Sequence, residues 1–112
     1  MDADNLMSKL LATLIRQKKA TSLRLSTDHA PELLVDDHIV SFETQRLSLQ
    51  DTLDLVHSIT PPRNQTELAD DGRTRFVFQL SHDQWIEASF LGIPGDFVVK
   101  ARQVPNTLVE EE

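Results

Sequence analysis

Between Arg73 and Val104 the chain alternates apolar and polar residues in run after run, and this constrains the fold more than any other feature. Phe76, Phe78 and Leu80 fall on one side of a run from Arg73 to Leu80, and Ile86, Ala88 and Phe90 on one side of a run from Gln84 to Leu91. A third run, Asp96 to Val104, follows the turn Gly92-Ile93-Pro94-Gly95 and is closed by Pro105. A period of two sends successive side chains to opposite faces, so these runs read as strands with one buried face. Turns this short join antiparallel neighbours.

Upstream the period changes. Leu6, Met7, Leu10, Leu11, Leu14 and Ile15 recur at spacings of three and four, which predicts an amphipathic helix. Asp2 and Asp4 at its start and Arg16, Lys18 and Lys19 at its end suit the helix dipole. Such a stripe either packs into the core or forms an oligomer or partner contact, and Leu10 and Leu14 are the candidates for the second role. Thr21 to Ser26 reads as a strand with Leu23 and Leu25 inward and Ser22, Arg24 and Ser26 outward. After the break at Ala30-Pro31, two strands are expected at Glu32–Asp36 and Ile39–Phe42, joined at Asp37-His38.

A second helix is expected from Ser48 to Ile59. Ser48 and Asp51 have capping-box spacing, and Leu49, Leu53, Val56 and Ile59 form its stripe. Thr60-Pro61-Pro62 stops it and opens a short third helix, with Thr60 as cap and Pro61 in the first turn, ending before Asp71-Gly72. The resulting class is α+β: an antiparallel sheet covered on one face, with an N-terminal helix and two helices inserted between two three-strand groups. Residues 1–105 form one domain, and 106–112 is an acidic tail expected to be disordered.

Charge and composition then narrow the function. Of the net −7, residues 26–72 alone carry ten acidic and two basic groups, which repels nucleic acid. The absence of cysteine removes thiolate chemistry, and no apolar run of membrane-spanning length occurs, so a cytoplasmic protein is expected. Gly72, Gly92 and Gly95 are the only glycines, and none opens a P-loop; G-x-S-x-G and H-E-x-x-H are also absent. His29, His38, His57 and His82 are scattered, and Asp70-Asp71-Gly72 reads as a turn rather than an acid pair. No catalytic residue, metal site or cofactor is expected. Trp85, the only tryptophan, points away from Ile86 and Phe90, either to cover a sheet edge or to anchor a contact.

From Ala20 to Pro105 the order of motifs resembles the N-terminal domain of PilT/GspE-type secretion ATPases, the hexameric motors of type IV pilus retraction and type II secretion. Ala20-Thr21-Ser22-Leu23-Arg24-Leu25 is similar to that family's Ala-Ser-Asp-Leu-His-Leu motif. Its proline-led hairpin resembles the segment Ala30 to Asp37, its helix start Leu47-Ser48-Leu49-Gln50-Asp51, its aspartate-rich strand Arg75 to Leu80, and its closing strand Lys100 to Pro105. The family's motif aspartate and histidine are replaced at Ser22 and Arg24, its hairpin arginine and glycine at Leu34 and Asp37, and its Arg-Phe-Arg at Gln84-Trp85-Ile86. The resemblance implies a PAS-like fold without the ATPase part, and a protein-interaction or assembly module acting as adaptor or regulator. Its partner would be a pilus or secretion ATPase or a second copy of itself, with Trp85 and Arg24 as contacts. A small-ligand or nucleotide sensor is the alternative such a fold suggests, and a structural homo-oligomer built on the Leu6–Ile15 stripe is another.

Overall fold

In the computed structural model, which describes residues 3–17, 19–42 and 44–104, each alternating run finds an antiparallel neighbour. The elements in chain order are α1 (Ala3–Arg16), β1 (Ala20–Ser26), β2 (Glu32–Val35), β3 (His38–Ser41), α2 (Leu49–Ile59), α3 (Pro62–Asp71), β4 (Arg73–Ser81), β5 (Gln84–Ile93) and β6 (Asp96–Val104). They give the α+β layout expected, with one six-stranded sheet in the order β3-β2-β1-β6-β5-β4. The two hairpin groups join where β1 pairs with β6, Leu23 opposite Val99 and Leu25 opposite Phe97. Asp2, Lys18, Pro105 and the tail 106–112 lie outside the described residues.

One parity of each long strand is buried. Leu23, Leu25, Ile86, Ala88, Phe90, Phe97 and Val99 face the helices, and Phe76 stacks on Phe90 with ring centroids 5.8 Å apart. α1 packs on β1, β6 and α2, while α3 packs on β4 and β5. The α1 stripe is therefore core. Leu10 is 1% and Leu14 3% exposed, alongside Met7 and Leu11, so neither leucine is available to a partner. This corrects the partner-contact reading of both residues, and with it the oligomer built on that stripe: the sheet needs an apolar cover, and α1 supplies it.

Three local expectations shift. The hairpin between β2 and β3 turns at Asp36-Asp37, one residue earlier than Asp37-His38. Both aspartates have positive φ, 52° and 67°, as a type I′ turn requires, and the short Asx side chain tolerates that conformation. In α2 the capping box of Ser48 and Asp51 is present, but the helix buries Thr52, Leu55, Val56 and Ile59, while Leu49 is exposed. Thr60 ends α2 rather than capping α3; its hydroxyl donates back to the Val56 carbonyl, and Pro62 takes the first helical position after Pro61. Gly72 then closes α3 at φ 73°, its N–H bonded to the Leu68 carbonyl.

Among the described residues, no helix is long and apolar enough to cross a membrane.

Candidate functional site

The helices cover one face of β1, β6, β5 and β4 and leave the other open. Because strand parity is fixed, every outward residue of β4, β5, β6 and β1 lies on that open face. It carries exposed apolar side chains at Val77, Leu91 and Ile93, Leu91 being 59% and Ile93 69% exposed. Gly92 between the last two sits at φ 139°, where an added Cβ would lie 2.3 Å from the Asp96 carbonyl oxygen. Only glycine lets β5 approach β6 so closely there, and this fixes how Leu91 and Ile93 are presented.

The register draws the charged residues into rows. One row runs Arg73, Leu91, Val98, Arg24, Glu32 across β4, β5, β6, β1 and β2. The next begins Arg75, Ser89, Lys100, and a third Val77, Glu87, Arg102. Arg102 Nε donates to Glu87 Oε1 at 3.1 Å, an exposed cross-strand pair. All four basic residues of β4 and β6 share the open face. The alternation that buries phenylalanines on one side leaves arginine and lysine on the other.

Arg24 is the most constrained of these groups. Its Nε and Nη2 donate to the two Asp96 carboxylate oxygens at 3.0 and 3.1 Å, and the Ser26 hydroxyl donates to Asp96 Oδ1 at 2.9 Å. The Arg24 hydrogen bonds, and then that of Ser26, hold the Asp96 carboxyl below its ordinary value. Reciprocally, the bond to Asp96 raises Arg24. A cavity of about 310 Å³ beside them is lined also by Thr27, His29 and Glu32. The Thr27 hydroxyl is buried there without a hydrogen-bond partner among the described residues.

A carboxylate with a depressed folded pKa contributes stability above its unfolded pKa of about 3.9 and loses it as pH falls through the folded value. Asp96→Asn should therefore lose stability at neutral pH and show a shallower decline below about pH 4. Arg24 and Asp96 are both roughly half exposed, so solvent screening limits the loss to about 0.2–1 kcal/mol. Urea unfolding at neutral and acidic pH reads both; equal acid sensitivity of variant and wild type would show that the pair does not set it.

The structure separates the contact residues suggested by the sequence. Trp85, half-buried, and Arg24 share the open face but sit at opposite ends of it: Trp85 is paired with Gln79 and Val104, six positions along β5 from Leu91 in the Arg24 row. At about 3.4 Å per residue that is roughly 20 Å. Leu10 and Leu14 lie in the core beyond the covered face. The sequence reading passed over Arg73, Arg75 and Lys100. Its signal for the first two was the same alternation that identified Phe76 and Phe78 as inward, whereas Lys100 joins them only through the strand order.

No family model and no curated protein sequence matches the chain. Solved structures do. A crystal structure of the pilus retraction motor PilT with bound ADP matches with a TM-score of 0.64 and 20% sequence identity over 88% of this chain and 29% of that one. The Legionella pneumophila ATPase DotB matches with a TM-score of 0.59 and 19% identity over 91% of this chain and 29% of that one. At such identities the likeness is one of fold, and the chain spans less than a third of either relative's length. The chain thus has the fold of one part of these two ATPases, as the resemblance to the N-terminal domain of PilT/GspE-type ATPases implied.

Proposed function

We propose that the chain is a non-catalytic docking module of a pilus or secretion system, a cytoplasmic adaptor or regulator that binds a PilT-like motor through the open face of its sheet. One observation carries this reading: the face of β4 and β5 turned away from the helices leaves Val77, Leu91 and Ile93 exposed, in a domain whose fold is part of two such ATPases. Leu91 and Ile93 stand two residues apart on β5, and neighbouring exposed apolar residues mark interaction surfaces more often than those scattered singly. A small-ligand sensor is less favoured, because the rings a ligand would displace from the covered face, Phe76 and Phe90, are packed against each other.

The test is titration of the whole chain against a purified PilT-type motor by calorimetry. Saturable binding is expected, and the double substitution Val77→Asp with Ile93→Asp should weaken it at least tenfold, about 1.4 kcal/mol or more. Circular dichroism melting keeps a folding defect distinct from a lost contact. Absence of binding, or equal binding by the folded variant, would sink the reading.

A further inference from the structure

One concentration of charge on the open face is engaged by none of the pairs described above. Arg73 and Arg75 project from β4 two residues apart, roughly 7 Å along the strand. Lys100 stands on β6, two strand spacings or about 10 Å from Arg75 across the row that Ser89 completes. Among the described residues none of these three cations has an ion-pair partner, and the Ser89 hydroxyl between Arg75 and Lys100 makes no hydrogen bond. With Leu91 and Val98 they line a cleft of about 660 Å³, with Glu67 and Asp71 of α3 also at its wall. Glu67 already accepts from the Thr74 hydroxyl.

The chain has eighteen acidic side chains for eleven basic ones, so three neighbouring cations without carboxylate partners give this part of the open face a local charge opposite to that of the chain. Arg24 and Arg102, on the same face, are both paired. Two guanidinium groups, an ammonium and a free hydroxyl around an exposed leucine match carboxylates in charge and geometry, since a guanidinium takes a carboxylate through two parallel hydrogen bonds. We infer that this cleft docks an acidic segment of a protein partner, one that presents two or three carboxylates within about 10 Å and an apolar side chain against Leu91. A nucleic acid fits less well: three cations neutralise few phosphates, and a longer strand would meet Glu87 and the net charge of −7. The inference rests on the docking reading and adds to it the partner's chemistry and its position on the face.

The experiment uses the full chain, isotopically labelled, and three probes: a fluorescein-labelled peptide of glutamate and serine residues around one leucine, its glutamine-for-glutamate counterpart, and a single-stranded oligonucleotide. The acidic peptide is expected to bind, to shift backbone resonances of Arg73, Arg75, Ser89, Leu91 and Lys100, and to weaken with added salt. Arg75→Glu with Lys100→Glu should lower its affinity at least tenfold, and Arg75→Gln with Lys100→Gln by less. Both pairs are exposed on the surface, and a melting curve checks that the variants fold. No binding of the acidic peptide, equal binding of the glutamine peptide, preferential binding of the oligonucleotide, or shifts confined to another face would each overturn the inference. A motor that binds wild type and the Arg75/Lys100 variant equally, yet loses the Val77/Ile93 variant, would overturn this inference while leaving the docking reading standing.

Discussion

Phe90→Ala should lower the free energy of unfolding by about 3–5 kcal/mol, the largest loss expected from one substitution in this chain. Phe90 is 1% exposed, sits between Thr74 and Val99 in neighbouring strands, and stacks on Phe76. Removing the ring loses its transfer energy, leaves a cavity against strands too well paired to collapse, and forfeits an aromatic pair worth about 0.5–1.5 kcal/mol. Against a domain stability of about 5–15 kcal/mol, the variant should be only marginally folded. Urea unfolding followed by circular dichroism reads this as a fall in midpoint at nearly constant slope. A loss below about 1.5 kcal/mol would mean that the stacked pair is not the centre of the core.

Leu10→Ala comes next, with an expected loss of about 2–5 kcal/mol, and Leu14→Ala should fall in the same range. Both leucines are buried beneath α1, which covers β1 and β6. A surface leucine serving a partner would give a change within about 0.5 kcal/mol in the isolated chain and a loss confined to binding. The same denaturation measurement therefore separates core from contact, and a near-neutral Leu10→Ala would restore the contact role.

Much of the element order was legible in the sequence because it rests on local physics. The capping box of Ser48 and Asp51, the alternation around Phe76 and Ile86, and the end of α3, which runs one residue past the expected stop before Asp71-Gly72, each need only a few neighbouring residues. The buried face of α2 was legible only in part: Val56 and Ile59 are buried as the stripe implied, but Leu49 is exposed. Leu49 and Leu53 score as apolar, yet the rotation of the helix is set by what it packs on, and Thr52 is buried with its hydroxyl returned to the Leu49 carbonyl. The one-residue shift of the hairpin turn came from two aspartates accepting positive φ, which composition alone does not announce. The site was the least legible part. Arg24 looked like a free contact, but its partner Asp96 is 72 residues away, brought beside it by the pairing of β1 with β6. The cation cluster needs the same strand order before Lys100 meets Arg75.

That central pairing has a consequence for how the chain is made. The sheet's inner seam joins its first strand to its last, so β1 stays without its β6 neighbour until nearly the whole described chain has left the ribosome. Until then the stripe of Met7, Leu10, Leu11 and Leu14 has only a partial surface to cover, and the two three-strand groups on either side of the seam are separate. Closing a loop of this length before any reward from packing makes the seam a late and slow event, during which the apolar stripe of α1 lacks its full cover.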